Sequence, residues 1–173
     1  QQSEKKETYD VINPATEEVI GNASKASSIE VQKALKSAEK GLKVWSNTTP
    51  WQRSYVLRKI ADLMREKKDI LAKWLTLEVG KPLTEGVGEV GGAADIFEWN
   101  AEETKRIYGQ TVQSRFPETR VHVYYQPVGV VAALIPWNFP IVLAARKIST
   151  ALAAGCSVTV SYTHLRAHET VAN

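Results

Sequence analysis

Cysteine is all but missing from this chain. Cys156 is the only one in 173 residues, which excludes an internal disulfide and fits a reducing compartment. Long apolar runs are missing too: the longest, Val128 to Pro136, falls well short of the ~18 residues that span a bilayer, so no membrane partner is expected. A strong charge of one sign is absent, because 22 Lys and Arg against 19 Asp and Glu leave only +3. That excess is too small and too scattered to hold nucleic acid by electrostatics. The chain opens on the polar QQSEKKET, with no signal-peptide pattern, and it starts at Gln1 rather than at Met, so a missing amino terminus is expected. No internal repeat and no low-complexity linker interrupts it. What is present, 43% hydrophobic and 24% charged residues, suits a cytoplasmic globular domain or a piece of a larger one.

Hydrophobic periodicity divides the sequence into elements. TYDVINPATEEVIG holds two short β-type runs, Val11-Ile12 and Val19-Ile20, separated by the turn residues Asn13 and Pro14. Val31, Ala34, Leu35, Ala38, Leu42 and Trp45 recur at helical spacing behind Ser28 as cap. Thr49 and Pro50 open a second helix with Val56, Leu57, Ile60, Leu63 and Met64 as its stripe, since proline has no amide to lose at the first position. ILAKWLTLEVG makes a third helix that stops at Gly80. The stretch from Pro82 to Tyr108 reads as a long helix with Val90, Ala94, Phe97 and Ala101 on one side and Gly109 closing it. RVHVYYQP then alternates like a half-exposed strand, and VGVVAALI is apolar throughout, as a strand covered on both faces is. PWNFP follows, then the helix IVLAARKISTALAAG with Gly155 as terminator, then a buried strand from CSV. Strand, tight turn, helix, strand is the unit of parallel α/β nucleotide-binding sheets.

Three features tempt and fail. GVGEVG, Gly86 to Gly91, spells the dinucleotide fingerprint, but no strand precedes it and it lies inside an amphipathic stretch. Glycines that let helices approach closely are the better reading. His164 and His168 stand four apart, yet two ligands with no third make no zinc site, so no metal is expected. Cys156 begins a buried strand with no local basic partner, where a cysteine behaves as a small hydrophobe.

PWNFP carries the chemistry. Its prolines fix the backbone without donors, and it sits at the carboxyl end of a parallel strand, where open α/β sheets bind ligands. An asparagine amide held on such a turn can donate to a developing oxyanion.

VGVVAALIPWNFP and ARKISTALAAGCSV resemble the aldehyde dehydrogenase superfamily, as do NPATEEVIG, the E-V-G-K-P of Glu78 to Pro82, and AEETKRIYG, all in the family's order. The likeness covers Tyr9 to Val158. It implies the N-terminal part of that α/β fold, with helices covering the start of a parallel cofactor-binding sheet: N-terminal strands and the helical part of the cofactor-binding domain at 1–111, the start of a β excursion for oligomerisation at 112–127, and the first β-turn-α-β unit of the sheet at 128–158. It also implies oxidation of an aldehyde to the acid through a cysteine thioester, with NAD or NADP, in a homodimer or homotetramer. By the same resemblance Asn138 is the oxyanion-hole side chain, Ile135, Pro136, Trp137 and Asn138 line the cofactor pocket partly through backbone atoms, and Lys147 matches a family lysine near the active site. The A-R-K triplet ending at Lys147 is similar to the branch acting on carboxylated semialdehydes such as succinate semialdehyde. That makes Arg146 a carboxylate clamp, a task suited to guanidinium.

The family continues after such a strand with K-P-S/A-E, where this chain has Ser161, Tyr162, Thr163 and His164. VSYTHLRAHET is what a common transposase-type sequencing adapter gives when translated in one frame. The expectation is therefore that native sequence stops at Val158, that 159–173 is an artefactual tail, and that the nucleophilic cysteine and general-base glutamate lie outside the chain, leaving it inactive alone. The competing reading is a non-catalytic nucleotide-binding or oligomerising module. A helical interaction protein is a third, but it leaves VGVVAALI without a purpose.

Overall fold

Serine and threonine start the first two helices, each in a reciprocal cap. The computed structural model describes residues 7–162. In it α1 (Ser28–Trp45) is capped by Ser27, whose hydroxyl accepts from the Glu30 amide while the Glu30 carboxylate accepts from the Ser27 amide. The cap is thus one residue earlier than the sequence suggests, because Ser28 already belongs to the helix. Thr49 and Gln52 make the same box at α2 (Pro50–Glu66), with Pro50 at its first position as expected. A single residue, Lys67, separates α2 from α3 (Lys68–Val79), which stops at Gly80 in the left-handed conformation.

The long helix is shorter than its periodicity implies. α4 (Leu83–Glu103) passes into a 3₁₀ turn at Thr104–Arg106, so Gly109 is not its terminator; Gly109 instead lies close against the Val123 backbone. The GVGEVG stretch is inside α4 and not at the start of a helix, which removes the amide cradle a dinucleotide fingerprint needs. Gly86 shows what a small residue is for here. A Cβ on it would come within 3.0 Å of the Ala72 carbonyl oxygen of α3.

α4 packs against α2, α3 and α5 (Pro140–Ala153). The core between them is mostly alanine, Ala61, Ala93, Ala94, Ala101, Ala145 and Ala153, completed by Leu57 and Phe97. Small side chains let the helix axes come close, and the fully buried atoms supply roughly 25 cal/mol per Å2 of apolar area removed from water. On α2 the buried stripe runs through Arg53, Ser54, Leu57 and Ala61, so Val56 and Leu63, assigned to the stripe from spacing, are exposed. Arg58 pairs with Glu98 and Glu102, and Arg65 with Asp95 and Glu98, along the α2–α4 seam. These pairs are half-exposed and add little individually.

Among the described residues the strands form three two-stranded sheets. β1 (Thr8–Ile12) and β2 (Val19–Ser24) are antiparallel. So are β3 (Gln110–Gln113) and β4 (Arg120–Val123), a hairpin of which the sequence reveals only the second strand. All eight residues of that hairpin are exposed, not half-exposed. β5 (Val130–Ile135) and β6 (Ser157–Tyr162) pair in parallel, from Val130 with Ser157 to Ile135 with Tyr162, and α5 is the crossover. The apolar run predicts a β5 covered on both faces. Ala133 and Ile135 are buried, but Ala132 and Leu134 on the opposite face are exposed, because no described element covers that side.

Two glycines of one helix give opposite expectations. Gly88 lies in α4 with nothing within 4 Å of an added methyl, so its replacement by alanine should stabilise the fold by about 0.5–1 kcal/mol. Gly86→Ala should cost about 1–3 kcal/mol by pushing α4 off α3. Urea unfolding midpoints at constant m-value check both.

Candidate active-site turn

The helix after PWNFP lacks the means to cap itself. Phe139 holds the cap position, φ −140° and ψ 64°, without a side-chain oxygen, and Pro140 has no amide. The next two amides, of Ile141 and Val142, donate to Glu89 Oε1 of α4 at 2.9 and 3.1 Å. Glu89 is only 7% exposed, so its charge needs a partner. Lys81, just beyond α3 and 9% exposed, donates to Glu89 Oε2. The same ammonium reaches the Asn138 carbonyl oxygen at 3.3 Å and stands 4.2 Å from the centre of the Phe139 ring.

The far end of α5 is held as firmly. Trp45 Nε1 of α1 donates to the Leu152 carbonyl at 2.9 Å, and the buried Thr104 hydroxyl donates to the Ala153 carbonyl at 2.6 Å. Asn100 Nδ2 of α4 donates to Ser149 Oγ at 3.0 Å. Gly155 then turns the chain with φ +86°, and a Cβ there would collide with Arg53 Nη1. Burial lowers the Arg53 guanidinium from its ordinary value, with the neighbouring Cys156 acting in the opposite sense. Arg53 Nε and Ser157 Oγ have no hydrogen-bond partner among the described residues.

The residues expected to form a site gather at the carboxyl end of β5. Ile135 is buried, whereas Pro136 and Asn138 are exposed and Trp137 is half-buried. Lys147 of α5 donates to the Leu134 carbonyl, which places it at the same strand end. Arg146 is exposed beside it, and no contact among the described residues ties its side chain to the turn. Cys156 is 2% exposed at the start of β6. His164 and His168 lie outside the described residues. Among those described, no group of three His, Cys, Asp or Glu could hold a metal, and no helix is long and apolar enough to cross a membrane. A surface hollow lined by Thr48, Trp51, Gln52, Tyr55 and Val56 shares no residue with the turn.

A model of the aldehyde dehydrogenase family matches residues 1–167. The chain belongs to the aldehyde dehydrogenase family. It is 47% identical over 154 residues to glutarate-semialdehyde dehydrogenase of Pseudomonas putida, and 44% identical over 154 residues to the NADP+ succinate-semialdehyde dehydrogenase of Escherichia coli. Each match covers 89% of this chain and 32% of the relative. The crystal structure of succinate-semialdehyde dehydrogenase from Burkholderia pseudomallei superposes with a TM-score of 0.92 at 40% identity, over 94% of this chain and 34% of that one. A betaine aldehyde dehydrogenase from Staphylococcus aureus in complex with NAD+ gives 0.91 at 33% identity, over 94% of this chain and 34% of that one. The chain therefore spans about a third of the length of the dehydrogenases it matches.

Sequence reasoning missed Lys81 and Glu89 as the residues that hold this turn. The signal was there. Glu89 falls on the buried face of α4 with Gly86, Ala93 and Phe97, at spacings of three and four, and a carboxylate on an apolar stripe requires a partner. At the other end of α5, Thr104→Val keeps the shape of the side chain and strands the Ala153 carbonyl. It should cost about 1–3 kcal/mol, seen as a lower urea midpoint with m unchanged.

Proposed function

We propose that this segment supplies the oxyanion donor and the nicotinamide end of the cofactor pocket of an NAD(P)-dependent aldehyde dehydrogenase acting on a carboxylated semialdehyde. One observation carries it: an exposed asparagine stands on a turn clamped by buried charge, at the open end of a parallel strand. The fit to a dinucleotide is favourable there. Pro136 and Trp137 present surface beyond the last rung of the β5–β6 ladder, at the end where such sheets take nucleotides. Bound there, the nicotinamide supplies a hydride acceptor.

The chain's own residues divide the remaining work. The Asn138 side-chain amide donates to the aldehyde oxygen as negative charge gathers on it, which lowers the barrier to attack at the carbonyl carbon. Lys147 braces the strand end through the Leu134 carbonyl and keeps two further ammonium donors. Arg146, exposed on the same helix, offers paired donors to a substrate carboxylate. The names of the relatives, glutarate- and succinate-semialdehyde dehydrogenases, support a substrate with a carboxylate at its far end. The attacking cysteine and the water-activating glutamate that the family implies are assigned to no residue of this sequence; Cys156 is too buried for the task. A cytoplasmic homodimer or homotetramer belongs to the same reading.

In a full-length dehydrogenase carrying this segment, Asn138→Ala should lower kcat by about 100- to 1000-fold. Arg146→Leu should raise KM for succinate semialdehyde far more than for a neutral aldehyde of similar size. Equal effects on the two substrates would remove Arg146 from the site.

A further inference from the structure

We infer that Lys81 and Glu89 are positioning residues that set the aim of the Asn138 side chain. The inference rests on the reading of Asn138 as oxyanion donor. Their contacts straddle the turn. Lys81 holds the Asn138 carbonyl and the Phe139 ring on one side of Pro140, and Glu89 holds the Ile141 and Val142 amides on the other. A planar peptide held at its carbonyl fixes the Cα from which the Asn138 side chain leaves, and bonds at Leu134 before it and at Ile141 and Val142 after it restrict the backbone rotations that would turn that side chain. Phe139 and Pro140 contribute no polar side chain to this end of α5, so the capping comes from α4.

An ion pair is an unusual choice for the purpose of stability alone. Well-packed apolar residues in place of a buried pair are often as stable or more so. What a charged pair adds is direction: a carboxylate splits its two oxygens between the helix amides and the ammonium, and each bond has a narrow geometry. Glu89 is inside α4, and Lys81 is in the short link between α3 and α4, directly after the Gly80 cap and buried against the helices. The turn therefore takes its position from α4 and from a buried residue of the α3–α4 link, not from exposed side chains, which is how a donor is kept within the tolerance that catalysis needs.

Two measurements test this. In the chain itself, Glu89→Ala should speed amide hydrogen exchange at Ile141 and Val142 about tenfold or more, while amides at Leu57 and Phe97 serve as controls for the core. Glu89→Gln, which keeps an accepting oxygen, should hold most of that protection. In a full-length dehydrogenase carrying the segment, Glu89→Ala should lower kcat about 10- to 100-fold with a much smaller change in KM, and should add little when Asn138 is already alanine. If Glu89→Ala unfolds the chain, Lys81→Met takes its place, with the same loss of kcat and the same lack of additivity expected. Unchanged exchange at Ile141 and Val142 overturns the clamp. A kcat loss that adds in full to that of Asn138→Ala overturns the coupling to Asn138 and leaves Asn138 as oxyanion donor. A kcat untouched by Asn138→Ala overturns the oxyanion reading, and the aim with it, while the exchange data still score the clamp by themselves.

Discussion

A single buried carboxylate organises the middle of this molecule. α5 begins on a proline preceded by a phenylalanine, so its first free amides have no local acceptor. Glu89 reaches across from α4 to take two of them, and Lys81 offsets the cost of burying its charge. Removing one member of such a pair costs about 3–5 kcal/mol, more than any half-exposed ion pair of the α2–α4 seam contributes. Lys81 can serve only because α3 stops just before it. Gly80 turns the chain into the left-handed region and sends the lysine inward. The link after α3, the interior of α4, the turn at Asn138 and the start of α5 are therefore one connected polar unit inside an apolar core.

The apolar part of that core explains how a carboxylate on one helix can reach the amides of another. Ala93 and Ala94 of α4 pack with Ala145 of α5 without the width that leucine or phenylalanine would add, and Gly86 lets α3 come in from the other side. Close helices are a condition for short side chains to make cross-helix hydrogen bonds. The Asn100–Ser149 bond and the Thr104–Ala153 bond further along α5 use the same closeness. Packing and polar contacts are not separate stabilising systems here, since the first sets the distances that the second needs.

Much of this was legible in the sequence, for physical reasons that differ by element. The second and third helices declared their starts and stops through Thr49-Pro50 and Gly80, residues whose backbone preferences act locally. The β5–α5–β6 unit showed in its change of period, and PWNFP marked the turn between β5 and α5. β3 was not legible, because QTVQ is exposed and has no apolar alternation to reveal it. The open face of β5 was hidden for the opposite reason: Ala132 and Leu134 are as apolar as their buried neighbours, and composition cannot tell which elements cover them. The end of α4 was missed because its last turn is settled by Thr104 bonding to a residue 49 positions away. Glu89 is masked by the glycines around it, whose likeness to a fingerprint hides a charge on the buried stripe.

The two lysines of the turn illustrate how one residue type serves two ends. Lys147 donates to the Leu134 carbonyl and Lys81 to the Asn138 carbonyl, so the stretch from the end of the strand to the asparagine is gripped at both limits by cations from different parts of the helical layer. Each grip satisfies a backbone carbonyl, and the charge of Lys81 is matched by Glu89. Arg146 has neither duty. It lies one residue from Lys147 on an exposed part of α5 with no tie to the turn among the described residues. The turn is held by a buried ion pair and two lysine–carbonyl bonds, while Arg146 is an exposed side chain that can change without disturbing that clamp.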